Sequence, residues 1–316
     1  SGGSVVLEQS ARGGEGGSPD VPSATPGVGG RGGNASSTLV RTNAAGSLSL
    51  TVAATGGNGG NNGGIAGTGF ASAVGEALGD VTISATATSG RAGFTNGATP
   101  ATGPDGVAAT LGPVRGVSTG GGAVDVFGWA QGGIGGDGSA QVGVGADAIL
   151  VNAIEGDTSG ALRLRQFATA GDAGRNLDTT APGVGARGGD ARSELSLAKR
   201  AARLEIGLEA RAGSSRGRDA AGLAIAGGLA ATQALLQNDA GGIDAVYRSI
   251  GGGGAGLELQ GLKNGVGGTA TSVLRATTTG DGQPITIRPN RDGRGSNFGS
   301  VGGAGGGASP FANLAQ

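Results

Sequence analysis

The stretch GSLSLTVAATGG (residues 46–57) decides the fold of this chain. From residue 47 to residue 52, serine or threonine alternates with leucine or valine. A period of two places the aliphatic side chains on one side of an extended backbone and the hydroxyl side chains on the other. The stretch therefore predicts a strand with one buried face, and its closing glycines predict a turn or loop.

The same pattern recurs along the chain. Five more stretches start with a small residue and continue with alternating aliphatic residues: GDVTISATATSG (79–90), GAVDVFGWAQGG (122–133), GALRLRQFATAG (160–171), ARLEIGLEARAG (202–213) and AGLELQGLKNGV (255–266). Their starts are 33, 43, 38, 42 and 53 residues apart, and small-residue segments such as 34–42, 70–77 and 139–150 lie between them. Each unit of about forty residues is predicted to hold two strands, a short turn and a glycine-rich return. The alternating strands are expected near residues 46–54, 79–87, 122–130, 160–168, 202–210 and 255–262. The expected fold class is all-β, with glycine-rich repeats stacked as a solenoid.

An internal match indicates a duplication. Residues 25–35 (TPGVGGRGGNA) match residues 181–191 (APGVGARGGDA) at an offset of 156, and the match continues without a gap to Val52 and Leu208. We therefore expect an N-terminal arm and tether (1–24), a first β-repeat half (25–180) and a second half with a glycine-rich C-terminal tail (181–316).

Three segments allow two interpretations. Asp190–Gly213 is rich in helix formers, but the duplication aligns it with alternating strands, so we predict strand. Residues 223–250 are similarly ambiguous and are compatible with a short helix. In residues 56–69, glycines recur about every third residue, which fits polyglycine-II-like packing or a flexible loop equally well.

Composition excludes several classes of function. The chain has no Cys, His or Met, so the usual zinc, haem and iron–sulfur sites and the Ser-His-Asp or Cys-His catalytic pairs are excluded. We expect no cofactor and no enzymatic activity. The net charge of −1 comes with no basic block, so nucleic acid is not an expected partner. The longest apolar stretch, residues 223–236, is too short to span a bilayer.

Two groups of residues imitate sites. Residues 132–140 (GGIGGDGSA) match one calcium β-roll repeat with Asp137 as ligand, but such rolls need tandem copies and Asp281-Gly282 supplies none. A tight turn is the expected structure there. Gly27–Gly30 imitates a phosphate loop without the following Lys-Ser/Thr.

Pairs of acidic residues also resemble a catalytic site. Glu194 with Glu205, or Asp137 with Glu155, would be the pairs to consider for a β-helical glycan hydrolase, and outer-face solvated charges are the ordinary alternative.

The strings GGRGGNA (29–35), ATGGNGGNNGG (54–64) and TISATATSG (82–90) resemble the glycine-rich repeat proteins that high-GC bacteria export to the cell surface and matrix. That resemblance implies an extracellular structural role and no particular ligand. The chain is accordingly expected to be a secreted subunit of an extracellular filament, sheath or biofilm matrix. The alternatives are a glycan-binding adhesin or viral tail-fibre module, with surface glycans as partners, and a glycan hydrolase.

The N-terminus suggests how such a subunit would assemble. Val5, Val6 and Leu7 form a short apolar strand, followed by the glycine-rich tether ARGGEGG (11–17). Ordering so much glycine is costly and burial of small side chains offsets little of that cost, so an isolated monomer is expected to be marginal. We predict that the arm adds to a sheet of a neighbouring copy, giving a head-to-tail homopolymer. The alternative is that the arm pairs within its own chain or frays.

Overall fold

The computed structural model describes residues 3–19, 27–95, 101–176, 183–255, 266–279 and 283–289. These residues form sixteen β-strands and no helix. The strands are β1 (Val5–Arg12), β2 (Ala35–Asn43), β3 (Leu48–Thr55), β4 (Gly69–Ala77), β5 (Val81–Thr88), β6 (Thr110–Ser118), β7 (Val124–Gln131), β8 (Ala148–Val151), β9 (Ile154–Asp157), β10 (Ala161–Thr169), β11 (Ala191–Lys199), β12 (Arg203–Arg211), β13 (Ala230–Asn238), β14 (Gly242–Ile250), β15 (Ala270–Thr278) and β16 (Ile285–Pro289).

The strands stack into a β-solenoid. A first sheet contains eight parallel strands in the order β1-β3-β5-β7-β10-β12-β14-β16. The second sheet has two four-stranded parts, β2-β4-β6-β9 and β8-β11-β13-β15. Along the chain a first-sheet strand runs into a glycine-rich segment, returns as a second-sheet strand and turns into the next first-sheet strand. The all-β, stacked-repeat prediction is therefore confirmed.

Five of the six predicted first-sheet strands lie where the alternating pattern placed them. The predictions at 46–54, 79–87, 122–130, 160–168 and 202–210 correspond to β3, β5, β7, β10 and β12. The sixth, at 255–262, lies outside the described residues apart from Ala255. The next strand of the first sheet is instead β14, inside the 223–250 segment, which holds two strands in place of the short helix considered there.

Residues 190–213 form strands β11 and β12, as the duplication predicted. Leu204, Ile206 and Leu208 are all at most 3% exposed. Burial of these alternating side chains outweighs the helix propensity of their neighbours. The 156-residue offset equals four steps in the first sheet, since β12 is the fourth strand beyond β3. The division of the chain at residues 24 and 180 stays a prediction, and both positions lie outside the described residues.

The core is asymmetric. The first sheet contributes large aliphatic side chains, whereas the facing positions of the second sheet hold mostly alanine, serine or glycine. Gly75 in β4 shows why: a Cβ there would lie 2.7 Å from Cδ1 of Ile83 and 2.9 Å from Cδ2 of Leu48. Small residues in the second sheet thus allow the two sheets to pack closely around the leucines and isoleucines of the first.

The glycine-rich segments form a separate layer beside the two sheets, which we call the glycine-rich layer. Backbone hydrogen bonds hold this layer together. The N–H groups of Gly57 and Gly60 donate to the carbonyls of Gly33 and Gly30 at 2.8 Å. The three-residue spacing of these hydrogen bonds, with glycine at the crowded positions, is the spacing that polyglycine-II-like packing requires, and the polyglycine-II conformation itself stays a prediction. A ladder of such bonds continues to the other end of the stack through residues 146, 171, 189, 213, 228, 252 and 268.

Glycine is required in this ladder by space. A Cβ on Gly213 would overlap the carbonyl oxygen of Gly171. The same holds at Gly252 and Gly268, whose Cβ positions overlap the carbonyls of Gly213 and Gly228. The unusual glycine content of the chain therefore has a packing cause at these positions.

The second sheet is broken between β8 and β9. β8 pairs with β11, whereas β9 pairs with β6 on the other side. Asn152 takes a left-handed φ of 49° at the break, and its Oδ1 accepts a hydrogen bond of 2.7 Å from the N–H of Ser196. Asparagine tolerates this conformation better than most residues.

Gln166 of β10 fills the break from the inside and is 0% exposed. Its Oε1 accepts from the N–H of Ala153 at 2.9 Å, and its Nε2 donates to the carbonyls of Leu150 and Glu194 at 3.2 and 3.0 Å and to Oγ of Ser193 at 3.1 Å. One side chain thus satisfies backbone groups that an unbroken ladder would otherwise pair.

Candidate functional site

The outer face of the first sheet changes character along the stack. On β3 and β5 the outward-facing residues are small or hydroxyl-bearing: Ser49, Thr51, Ala53, Thr55, Thr82, Ser84, Thr86 and Thr88. From β7 onward the corresponding positions carry charged and aromatic side chains. Functional chemistry on this face is therefore concentrated on β7, β10, β12 and β14.

Ion pairs link these strands. Arg163 of β10 lies 2.7 Å from Glu205 of β12, and Arg165 lies 3.0 Å from Asp125 of β7. The hydrogen bond and charge of Glu205 raise the pKa of Arg163 above its ordinary value. These pairs are partly exposed, so each contributes little to stability on its own. Their main effect is to fix the orientation of the charged side chains on the outer face.

Three aromatic side chains cluster beside this network. Phe127, Trp129 and Phe167, the aromatic patch, are all half-buried on the outer face of β7 and β10. The rings of Phe127 and Phe167 meet edge to face, with centroids 5.3 Å apart at 84°. Nε1 of Trp129 donates to Oγ1 of Thr169 at 3.2 Å, which orients the indole. The guanidinium of Arg165 lies 5.4 Å from the Phe127 centroid.

A shallow cavity of about 660 Å³ adjoins the patch. Its lining includes all three rings together with polar side chains from β7, β10, β12 and the glycine-rich layer: Gln131, Thr169, Asp172, Glu209, Arg211 and Ser214. Aromatic surface with a few convergent polar groups is the usual make-up of a small-molecule site.

A second groove follows the break in the second sheet. It has a similar volume, about 660 Å³, and separates β6 from β8. Ile149 and Val151 of β8 are 58% and 50% exposed beside it, and Leu111 of β6 closes its floor against the core. Its rim carries Arg115 and Glu155, which form an ion pair of 3.4 Å.

Asp137, the residue of the calcium-like repeat, has protein partners. Its carboxylate accepts hydrogen bonds from Nη2 of Arg91 at 2.7 and 2.8 Å and from the N–H of Arg175 at 2.7 Å. Just after it the chain bends at residues 139–140, and the N–H of Gly143 donates to the carbonyl of Gly136 at 2.8 Å. The tight turn expected at Asp137 stays a prediction. Asp281 and Gly282 lie outside the described residues.

The acidic pairs considered for hydrolysis are not brought together. Glu194 faces outward from the second sheet and pairs with Arg192, whereas Glu205 faces outward from the first sheet. Glu155 lies in β9 and contacts Arg115 and Lys199, while Asp137 lies in the glycine-rich layer. The geometry therefore offers neither pair as an acid–base dyad.

Gly27–Gly30 belongs to the glycine-rich layer: the N–H of Gly30 donates to the carbonyl of Gly17, and that of Gly29 to the carbonyl of Asn62. The N–H groups of Gly29 and Gly30 are therefore bonded to carbonyls of the layer and are not available to a phosphate.

The comparisons with known proteins add no relatives. The chain matches no protein-family model, no curated protein and no solved structure. In the part of the chain that the structure describes, no helix is long and apolar enough to cross a membrane, and no cluster of three or more acidic side chains is arranged to hold a metal ion.

Val5, Val6 and Leu7 lie in β1, which pairs in parallel with β3 of the same chain. This is the second of the two alternatives that the sequence left open. Val5 and Leu7 pack against the core and remain half-buried, while Val6 is 64% exposed on the outer face. The tether is part of the glycine-rich layer, since the N–H groups of Gly13 and Gly16 donate to the carbonyls of Thr55 and Asn58.

Sequence analysis missed the aromatic patch, although a signal was present. Trp129 and Phe167 occupy the same register position of adjacent strands. The repeats that begin at residues 122 and 160 are offset by 38, and this offset carries residue 129 onto 167. Aligning the repeats by this offset would have shown the cluster.

Proposed function

We propose that this chain is a structural subunit of an extracellular filament, sheath or matrix, assembled head to tail through the ends of the solenoid. The proposal rests on one observation: in both terminal strands of the first sheet, the side chains that face the core are only partly buried. Val5 and Leu7 at one end, and Ile285 and Ile287 at the other, pack against the core from one side and are only partly buried.

The two ends are complementary in geometry. All strands of the first sheet are parallel, so β16 of one copy can continue into β1 of the next without a change of direction. Among the described residues nothing pairs with the outer edge of β1. A contact between two different surfaces that does not close produces an open filament. Each aliphatic side chain that becomes fully covered would contribute up to about 1.5–3 kcal/mol.

The hydrogen-bonding groups of the β1 edge can be assigned to single residues. The N–H groups of Val5 and Gly13 donate to carbonyls beside β3, at Ser47 and Thr55. Because backbone groups alternate in direction along a strand, the N–H of Glu8 points away from β3, toward the outer edge. Proline is tolerated on an edge strand where its missing N–H faces outward.

The test substitutes this outward N–H. Glu8→Pro should leave the solenoid folded, with an unchanged β-type circular dichroism spectrum, and should block assembly. Glu8→Thr, which keeps the N–H and removes the charge, should assemble like the unmodified protein. Sedimentation velocity and negative-stain microscopy measure the outcome.

Two results would overturn the proposal. If Glu8→Pro forms the same polymers as the unmodified chain, assembly through this edge is wrong. If the unmodified protein remains monomeric at all accessible concentrations, the proposed structural role in a polymer is wrong.

A further inference from the structure

We infer that the aromatic patch of Phe127, Trp129 and Phe167 is a carbohydrate-binding site that takes pyranose units of a glycan. This inference is independent of the proposed assembly, because it concerns the face of the first sheet and not its ends. It rests on the placement of the rings, on the polar groups around them and on the charges that exclude other ligands.

The rings form part of a row across four strands. In register, Thr86 of β5 is followed by Trp129, Phe167 and Glu209. Neighbouring strands are about 4.8 Å apart, so the row places a hydroxyl, two rings and a carboxylate at steps of that size. Thr86 is small, so the Trp129 ring has no bulky neighbour on its β5 side.

A pyranose ring is amphipathic, with C–H groups on its faces and hydroxyl groups around its edge. The faces can stack on Trp129 and Phe167, whose hydrophobic surface is costly to leave in water. The edge hydroxyls need both donors and acceptors. Gln131 supplies both, Arg211 supplies donors, and Glu209 and Asp172 supply acceptors around the same cavity.

The two carboxylates have protein partners. Glu209 lies 3.8 Å from Arg248, and its side chain is 25% exposed. Asp172 accepts a hydrogen bond of 2.7 Å from the N–H of Ser214. The cavity volume of about 660 Å³ falls within the range of roughly 300–1,000 Å³ common to small-molecule sites. Such preorganisation reduces the entropy that a ligand must lose on binding.

Charge disfavours the other ligands that stack on aromatic rings. Nucleic acid bases stack well, but a strand would bring phosphates next to two carboxylates, Glu209 and Asp172, with Arg211 as the single cation among the described residues of the cavity lining. An organic cation would compete with Arg165, which already covers the face of Phe127. A neutral polyhydroxylated ring meets neither obstacle.

The chain contains one tryptophan, so Trp129 reports on this site without interference. Titration should use the full chain and soluble hexamers of β-1,4-linked glucose, β-1,4-linked N-acetylglucosamine, β-1,3-linked glucose and α-1,4-linked glucose. At least one hexamer should shift the Trp129 emission saturably, and isothermal calorimetry should give the same Kd. A single-stranded oligothymidylate serves as the competing ligand class.

Variants separate binding from folding. Phe167→Ala and Glu209→Gln keep the reporter and should each weaken the Kd by roughly tenfold or more. Phe70→Ala removes an aromatic side chain from the outer face of the second sheet and should leave the Kd unchanged. Circular dichroism and thermal melting confirm that all three variants are folded.

Three outcomes would overturn the inference. The first is that no hexamer changes Trp129 emission or gives heat at millimolar concentration. The second is that oligothymidylate binds and the hexamers do not. The third is that Phe167→Ala and Glu209→Gln bind as well as the unmodified chain, which would leave the rings only their role in pairing β7 with β10.

Discussion

Replacing Gln166 by leucine would test how the solenoid accommodates the break in its second sheet. Leucine is the residue that the next strand holds in the same register, at position 208. The substitution therefore keeps an apolar side chain of suitable size in the core and removes only the hydrogen bonds.

The expected loss of stability follows from the polar groups that would lose their hydrogen bonds to Gln166. The N–H of Ala153 has Gln166 as its acceptor at 2.9 Å and would lose that acceptor at a partly buried position beside the groove. An unsatisfied buried donor costs about 1–3 kcal/mol. The carbonyl of Glu194 retains the N–H of Asn152 at 2.9 Å, so its loss is smaller. Adding a net loss of about 0.5–1.5 kcal/mol for the remaining bonds, we expect destabilisation of about 1.5–4.5 kcal/mol.

The assay combines global and local measurements, because long repeat proteins depart from two-state unfolding. Urea denaturation followed by circular dichroism gives the change in stability. Amide hydrogen exchange gives the local effect, which should be strongest at Ala153. Gln233→Leu is the matched control: this residue is exposed on β13, and the same substitution there should change stability by less than about 0.5 kcal/mol.

One result would refute this reasoning. If Gln166→Leu unfolds at the same urea concentration as the unmodified chain and the Ala153 amide stays equally protected, then Gln166 does not hold the break together. The backbone groups would then have to find other partners by closing the gap between β8 and β9.

Two further predictions concern the glycine-rich layer. Gly213→Ala should destabilise the protein by about 1–3 kcal/mol or more in urea titration, because the new Cβ overlaps the carbonyl of Gly171, whereas Gly14→Ala, where a Cβ meets nothing within 4 Å, should change little. Equal stability of the two variants would contradict close packing in this layer. Asp137→Ala should cost about 1–3 kcal/mol, since it removes the partner of Arg91 and of the Arg175 N–H. Calcium should not raise the melting temperature of the unmodified chain; a rise that Asp137→Ala abolishes would show that the carboxylate binds calcium and that pairing with Arg91 is not its main role.

The sequence by itself determined most strands of the first sheet, but not β14 or β16. Alternation between aliphatic and polar residues is a local property, and it places side chains on two faces whatever the strand pairs with. That is why β3, β5, β7, β10 and β12 could be predicted to within two residues. The internal match likewise resolved residues 190–213 against their helix propensity.

Only the tertiary structure decided which residues meet. The second sheet breaks because β8 pairs with β11 whereas β9 pairs with β6, and Gln166 fills the resulting gap. No local sequence pattern indicates which neighbour a strand will pair with. The aromatic patch depends on the register between β7 and β10, and the separation of Glu194 from Glu205 depends on which sheet each strand joins. Strand patterns are set by neighbours along the chain, whereas these sites are set by neighbours about one solenoid turn away, and their alignment depends on how the intervening turns and glycine-rich segments pack.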